Sequence, residues 1–171
     1  MKTDFENKKI LIMPTERIWL HDKIDETLYF KKWSNLLNNS NLLNFIEDNN
    51  IFIYFYPSKQ LNEYIDRFKF KSKNIKIVNN VQDLIIDSSL LVTDYSNIYM
   101  TFASMLKPVI YYQFDLDEYN KYHKNNLILF GKVLTDEEDV VNRIIGYTNM
   151  NYKIEKIYKQ KINNFFDLEE L

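Results

Sequence analysis

The sequence predicts an α/β fold in which a doubly wound parallel sheet is covered by helices on both faces. Short runs of almost wholly apolar residues alternate with longer segments whose apolar residues recur at helical spacing. A strand covered on both faces is apolar throughout, and the order strand, helix, strand is typical of parallel βαβ units. No internal repeat and no linker rich in Pro, Gly or Ser interrupts this alternation, so we expect a single domain.

Five apolar runs predict strands, and the segments between them predict helices. Phe30, Trp33 and Leu37 lie on one helical face, and Ser40 is expected to cap a second short helix. The strands are expected at residues 9–13, 51–55, 75–78, 90–92 and 108–112. The helices are expected around residues 30–37, 40–46, 61–68, 81–89, 98–106 and 136–145, and a closing helix at 154–166.

Composition excludes several classes of protein. The chain has 171 residues, of which 46% are hydrophobic and 16% aromatic, so it can bury a substantial core. Its net charge of -2 indicates no nucleic-acid partner, although a local basic patch is compatible with it. The absence of cysteine excludes disulfides, thiol catalysis and thiolate metal sites. We expect a cytoplasmic protein, at most peripheral at the inner face of the cell membrane, because no apolar run is long enough to span a bilayer.

Residues 93–97, TDYSN, follow the strand at 90–92 and precede a helical pattern. The first turn of a helix presents unpaired N–H groups and a partial positive charge, and Ser96 and Asn97 are good N-cap residues. Such a turn is suited to bind a diphosphate without glycine, while Asp94 is suited to orient the loop or contact a ribose hydroxyl. The alternative, favoured by this pattern alone, is that Asp94 and Ser96 only cap the helix.

Three further polar loops follow predicted strands, where doubly wound sheets bind ligands. PTER places Thr15 and Arg17 where a guanidinium would pair with a phosphate, although Arg17 alone is better explained as an exposed loop residue in a surface ion pair. YPS places Tyr56 at the second strand end, where it is suited to stacking or hydrogen bonding. QFD is the third loop. Its Asp115 belongs to an acidic cluster that we expect to cap a helix and face solvent.

The sequence predicts no metal site and no cofactor. His21 and His123 are far apart and in no metal-ligand spacing, so we expect both to be exposed or structural. The acidic cluster of Asp115, Asp117 and Glu118 has no spacing that fixes a ligand geometry for a divalent cation.

Taken in order, these loops resemble the C-terminal, donor-binding half of the CDP-glycerol glycerophosphotransferase family. The matching segments are ILIMPTERIWL, YFKKW, FYPSKQ and VQDLIIDSSLLVTDYSNIYMTFASMLKPVIYYQFDLDEY. The resemblance covers roughly residues 8–145 and is most specific at residues 82–119. It implies a Rossmann-like nucleotide-donor domain over residues 1–171, of the kind found in the C-terminal half of GT-B transferases. The acceptor domain of the family is then absent from these residues, which implies an excised or truncated chain, a separately encoded acceptor-binding half, or self-association.

The resemblance also implies an activity and a set of binding residues. Family members transfer glycerol phosphate from CDP-glycerol, or ribitol phosphate from CDP-ribitol, to a hydroxyl of a lipid-linked teichoic acid or capsule acceptor, releasing CMP. The TDYSN loop matches the T-D-Y-S-S segment of the family, and Pro14, Thr15 and Arg17 match its P-T-x-R loop. The expected donor-binding residues are Thr15, Arg17, Tyr56, Pro57, Thr93, Asp94, Tyr95, Ser96, Asn97 and Gln113.

The chain departs from the family pattern at positions that bear on catalysis. Tyr56 stands before Pro57 where the family usually has histidine, and a tyrosine with an ordinary pKa near 10 remains a neutral hydrogen-bond donor. Asn97 replaces a serine, and Thr101 replaces an acid. The catalytic residue is therefore left unassigned, and two alternatives stay open: a non-catalytic interaction module of the same fold, or the donor half of a nucleotide-sugar glycosyltransferase.

Overall fold

The computed structural model describes residues 8–124 and 126–168 and contains one six-stranded sheet. The strands are β1 (Lys9–Met13), β2 (Phe52–Phe55), β3 (Ile75–Ile77), β4 (Leu90–Thr93), β5 (Val109–Tyr112) and β6 (Val133–Leu134). Their order across the sheet is β3-β2-β1-β4-β5-β6, and every neighbouring pair is parallel. The predicted doubly wound parallel sheet is confirmed.

Helices connect the strands and cover both faces of the sheet. They are α1 (Leu28–Leu37), α2 (Ser40–Asp48), α3 (Lys59–Asn62), α4 (Gln82–Asp87), α5 (Ile98–Ser104), α6 (Leu116–Tyr122), α7 (Glu137–Asn149) and α8 (Lys156–Phe166). Short 3₁₀ turns at Ile24–Glu26 and Ile65–Arg67 precede α1 and follow α3.

Each face of the sheet has its own apolar core. Along β1, Ile10 and Ile12 belong to one core, and Leu11 between them belongs to the other. The first core contains the fully buried Trp33 of α1, with residues of α2 and α7, and the second contains Phe102 of α5. This two-sided burial explains why the central strands β1, β4 and β5 are apolar at almost every residue.

The structure differs from the sequence predictions in three elements. The helix expected at residues 61–68 is divided into α3 and a separate 3₁₀ turn. The N-cap of α2 is Asn39, whose Oδ1 accepts from the Leu42 N–H at 3.1 Å, and Ser40 is the first helical residue. Strand β6 was not predicted, because it has only two residues and is identified by its pairing with β5.

Gly131 lies where the chain passes close to β5 before it enters β6. A Cβ at this position would lie 2.3 Å from the Val109 carbonyl oxygen and 3.1 Å from the Tyr111 ring. Because backbone must move to relieve that contact, we expect Gly131→Ala to lower the free energy of unfolding by about 1–3 kcal/mol in urea titrations.

Gly146, inside α7, provides the matched control for this substitution. A Cβ there meets nothing within 4 Å, so Gly146→Ala is expected to raise the free energy of unfolding by about 0.5–1 kcal/mol, because alanine favours the helix. Equal effects at the two positions would contradict the close approach at Gly131.

Candidate functional site

The candidate site lies at the carboxyl edge of the sheet, where β1 and β4 are neighbours. From this point the strand order runs outward in both directions, through β2 on one side and through β5 on the other. Such a switch point separates the loops that follow the two central strands and leaves a crevice between them. Here the loops are PTER and TDYSN, and the Thr93 hydroxyl joins them by donating to the Met13 carbonyl at 2.6 Å.

Asp94 binds the two central loops to each other. Its side chain is fully buried. Its carboxylate accepts from the Thr15 N–H at 3.0 Å, the Thr15 hydroxyl at 2.8 Å and the Tyr95 N–H at 2.6 Å. Arg17 Nη1 donates to the same carboxylate at 2.8 Å. Asp94 therefore orients the loop, as one of the sequence alternatives proposed, and does not cap α5.

Arg17 is buried, and the alternative that it is an exposed residue in a surface ion pair is wrong. Nε and Nη2 bind the two Asp115 oxygens at 2.6 and 3.2 Å, and Nη1 also donates to the Thr15 carbonyl at 2.9 Å. Burial opposes the charge, but pairing with Asp94 and Asp115 outweighs it and raises the pKa of the guanidinium above its ordinary value. Direct contact with a phosphate would require one of these bonds to be exchanged.

Asp115 is a site residue that the sequence analysis missed. It was expected to cap a helix and face solvent, but its side chain is only 12% exposed. It occupies the N-cap position of α6 without making a capping hydrogen bond, and it accepts from the Tyr95 hydroxyl at 3.0 Å as well as from Arg17. Its position in QFD at a strand end was the available signal. Its partner Arg17 lies 98 residues earlier in the chain, and no local pattern indicates that pairing.

Tyr95 and Gln113 complete the support of the TDYSN loop. Gln113 Nε2 donates to the Asp94 carbonyl at 3.0 Å, which links the end of β5 to the loop after β4. The Tyr95 ring stacks on Tyr119 with centroids 3.6 Å apart. Burial and the neighbouring Asp115 charge raise the pKa of Tyr95, so its hydroxyl stays protonated and donates.

The YPSKQ segment supports the PTER loop from the other side. Ser58 Oγ caps α3 and lies 2.8 Å from the Tyr29 hydroxyl, which donates to the Thr15 carbonyl at 2.6 Å. The Gln60 amide accepts from the Arg17 N–H at 2.6 Å and donates to the Arg17 carbonyl at 2.7 Å. Neither Tyr29 nor Gln60 was predicted as a site residue, because each lies in a helical segment with no distinguishing motif.

Tyr56 and Pro57 lie apart from this network. The Tyr56 ring is half-buried and packs against the core on the α5 side of the sheet, and its hydroxyl has no hydrogen-bond partner in residues 8–124 and 126–168. Pro57 is buried. Direct contact of either residue with a donor remains a prediction.

Ser96 and Asn97 retain polar groups that the protein does not use. Ser96 Oγ accepts from the Ile98 N–H at 3.3 Å, so Ser96 provides the capping bond of α5, and the exposed Asn97 side chain provides none. The N–H groups of Ser96 and Asn97 have no acceptor in the part of the chain that the structure describes. These N–H groups, the Ser96 hydroxyl proton and the Asn97 amide are available to an anion at this edge.

The described residues contain neither a metal-binding cluster nor a membrane-spanning helix. No group of three or more His, Cys, Asp or Glu side chains in residues 8–124 and 126–168 is arranged to hold a metal ion. No helix in these two ranges has the length and apolar character needed to cross a bilayer. His123 stacks on Tyr119, and His21 is exposed.

Curated relatives of the chain are proteins of teichoic acid synthesis. It is 29% identical over 187 residues to the minor teichoic acid biosynthesis protein GgaB of Bacillus subtilis strain 168, covering 97% of this chain and 20% of GgaB. It is 32% identical over 125 residues to the teichoic acid glycerol-phosphate primase of the same strain, covering 68% of this chain and 31% of the primase. The chain therefore spans a third or less of the length of these two relatives.

Solved structures show the same fold. The wall teichoic acid polymerase TagF aligns with a TM-score of 0.66 at 23% identity, over 95% of this chain and 38% of the TagF chain. A TagF variant soaked with CDPG aligns with a TM-score of 0.65 at 20% identity, over 95% of this chain and 36% of that chain. The UDP-GlcNAc 2-epimerase of Methanocaldococcus jannaschii has a TM-score of 0.54 at 13% identity, over 94% of this chain and 46% of the epimerase.

The model of one family matches almost the whole sequence. It is described as CDP-Glycerol:Poly(glycerophosphate) glycerophosphotransferase, and it matches residues 2–170. The relatives and the TagF structures agree with this match in both function class and fold. The chain belongs to the CDP-glycerol:poly(glycerophosphate) glycerophosphotransferase family.

Proposed function

We propose that the chain binds a CDP-activated polyol phosphate, CDP-glycerol or a related CDP-polyol, between the PTER and TDYSN loops. It would act as the donor domain of a phosphotransferase whose acceptor is a hydroxyl of a lipid-linked teichoic acid or capsule polymer. Family membership and the similarity in fold to a TagF variant soaked with CDPG support the donor class. The acceptor-binding surface would lie outside the residues of this donor domain. Such an assembly would work at the inner face of the cell membrane.

One observation supports the proposal that the donor binds at the TDYSN loop. The unused N–H groups of Ser96 and Asn97 lie at the start of α5, on a loop that Asp94 fixes to the neighbouring PTER loop. Phosphotransfer from a pyrophosphate develops charge on the diphosphate, and fixed N–H donors stabilise that charge without having to reorganise. In this arrangement Ser96 and Asn97 bind the diphosphate, and Arg17 and Asp115 hold the loop in position.

The proposal assigns no proton-transfer role to Tyr56. Its ring packs in the core on the α5 side, and a tyrosine is a weak general base at neutral pH because its ordinary pKa is about 10. The base that activates the acceptor hydroxyl would then lie on the acceptor-binding half. The nucleotide-sugar alternative is supported by fold similarity alone, since the epimerase is only 13% identical.

Donor binding is tested by thermal unfolding in the presence of nucleotides. CDP-glycerol at a hundred times its Kd is expected to stabilise the native state by about 2.7 kcal/mol and so raise Tm by several degrees. Asn97→Asp places a negative charge beside the proposed diphosphate and is expected to weaken binding about tenfold or more. The matched control Asn164→Asp makes the same charge change on the exposed face of α8 and is expected to bind normally.

Two results would count against the proposed donor site. An unchanged Tm at millimolar CDP-glycerol, CDP and CMP, in a sample that unfolds cooperatively, would contradict donor binding. Equal loss of affinity in the two Asn variants would contradict its placement at Asn97. A larger shift with UDP than with CDP would favour the nucleotide-sugar alternative.

A further inference from the structure

A cleft between α7 and β6, the last strand of the sheet, lies outside the candidate site. We call it the α7 cleft. It has a volume of about 490 Å³ and is lined on one side by residues 132–135, which include β6. On the other side it is lined by Asp139, Asn142, Arg143 and Gly146. Their spacing of three and four residues places these four on one face of α7. The cleft is therefore formed by a free sheet edge and one helical face.

Gly146 gives the α7 cleft its depth. The chain has only two glycines, and this one lies inside α7, where glycine is the least favourable residue after proline. A Cβ at Gly146 would meet nothing within 4 Å, and its φ is not positive, so neither packing nor backbone conformation requires glycine here. A side chain at this position would occupy the cleft. Glycine is used where a ligand approaches the backbone closely, and that role explains its place in the helix.

Arg143 supplies a cation whose hydrogen-bonding capacity is only partly used. Its Nη2 donates to the Tyr147 hydroxyl at 3.2 Å and pairs with Glu155. Its Nε is buried without an acceptor in residues 8–124 and 126–168, and its Nη1 makes no hydrogen bond within the same two ranges. Leaving a buried donor unpaired is unfavourable. Because a guanidinium binds oxyanions through several N–H groups at once, Arg143 is suited to pair with an oxyanion that enters the cleft.

The other polar groups of the α7 cleft limit what the ligand can be. Lys132 and Arg143 are balanced by Asp139 and Glu155, so charge alone would not hold a bare anion or a polyanion there. Lys132 and Asp139 form no ion pair with any residue that the structure describes. The Lys132 ammonium is thus available to an oxyanion, and the Asp139 carboxylate is available to hydroxyl donors. The lining fits a ligand that carries both an anionic group and hydroxyl groups.

We propose that the α7 cleft binds a small sugar phosphate, at a site separate from the proposed donor site. The phosphate pairs with Arg143 and Lys132, since its three terminal oxygens can reach both cations, and the sugar hydroxyls bind Asp139 and Asn142. Met150 adds exposed apolar surface to the lining, which suits the C–H face of a sugar ring. The volume lies within the range of small-molecule sites, roughly 300–1,000 Å³, and favours a ring over a three-carbon polyol.

The proposal does not depend on the donor chemistry. The candidate site lies between β1 and β4, whereas the α7 cleft lies at β6, two strands beyond β4. The hydrogen bonds and ion pairs of the Arg17, Asp94 and Asp115 network include no residue that lines the cleft. Binding at one site can therefore be measured without binding at the other.

Titration with glucose 6-phosphate, followed by calorimetry and by ¹H–¹⁵N NMR, tests the proposal. The sugar phosphate is expected to shift the amide signal of Gly146, which is identified among the signals of two glycines by its loss in Gly146→Ala. Gly146→Leu fills the cleft and is expected to weaken binding at least about tenfold. The matched control Asn149→Leu adds the same side chain at an exposed position of α7 outside the cleft, and is expected to stay within about twofold of wild type. Leucine favours helix, so both variants are expected to fold, as thermal unfolding would verify.

Three outcomes would overturn the proposal. The two leucine variants would bind glucose 6-phosphate equally, or the wild-type chain would show no binding and no shift at Gly146 at millimolar ligand. In the third, glucose or glycerol 3-phosphate would bind as tightly as glucose 6-phosphate, which would remove the requirement for the phosphate or for the sugar ring. Nucleotide-induced shifts in Tm are expected to be the same in Gly146→Leu as in wild type, so failure here is distinct from failure of donor binding.

Discussion

Arg17→Met is expected to lower the free energy of unfolding by about 3–5 kcal/mol, because it leaves buried carboxylates without their counter-ion. The Asp94 side chain is fully buried, and that of Asp115 is 12% exposed, so water can solvate neither charge well. Methionine has a similar volume, which limits the contribution of a cavity to the result. The measurement is urea-induced unfolding at pH 7, monitored by far-UV circular dichroism.

The control for this prediction is an arginine in the opposite environment. Arg67 is 68% exposed and lies 3.9 Å from Asp25, so Arg67→Met is expected to change stability little. Arg17→Lys retains the charge but cannot bind both oxygens of Asp115 while also reaching Asp94, and it is expected to be intermediate. If Arg17→Met and Arg67→Met unfold at the same urea concentration, the buried network does not stabilise the fold.

Above pH 10 the protein is expected to lose stability steeply. Five tyrosines have a pKa raised well above the ordinary value, chiefly because burial disfavours the phenolate: Tyr29, Tyr95, Tyr111, Tyr112 and Tyr147. In the unfolded chain they ionise near pH 10, so the unfolded state then binds fewer protons than the native state. Stability is unaffected by these groups below pH 10 and falls above it, by about 1.4 kcal/mol per pH unit for each tyrosine.

Tyr112→Phe tests this pH dependence at one residue. The buried Tyr112 hydroxyl has no hydrogen-bond partner among the described residues, so its removal preserves packing and breaks no bond. Urea titrations between pH 9 and pH 11 are expected to show no difference between variant and wild type below pH 10. Above pH 10 the loss of stability with pH is expected to be shallower in the variant, by a slope that approaches about 1.4 kcal/mol per pH unit. An unchanged slope in the variant would show that Tyr112 ionises alike in both states.

The architecture could be predicted because each strand is defined by its own residues. β1 was predicted with the bounds observed, since an apolar run ending at Pro14 needs no long-range information. β6 could not be predicted in this way, because a two-residue strand is defined by hydrogen bonds to β5. The division of residues 61–68 into two helical pieces was likewise invisible, since the apolar spacing continues through both.

The convergence of the strand-end loops could be predicted, and the contacts between them only in part. Strand ends in a parallel sheet meet at one edge, so PTER, TDYSN and QFD could be expected to converge there. Which side chains pair within that edge depends on contacts between residues 77 and 98 positions apart, as for Arg17 with Asp94 and Asp115. Local sequence pattern does not indicate which residues so far apart in the chain will pair. For this reason Arg17 was assigned an exposed ion pair, whereas its ion pairs in the structure are buried.

The hydrogen bonds that Asp94 accepts from both central loops mean that this edge is preorganised. Ordering of the PTER and TDYSN backbones takes place when the chain folds, so a ligand arriving there would cost the protein little further conformational entropy. Only side chains outside the Asp94 hydrogen bonds are free to adjust to a ligand, and the exposed Asn97 side chain is the clearest example. Discrimination among related ligands at this edge would then depend on shape and charge already set in the free protein, with little contribution from loop closure.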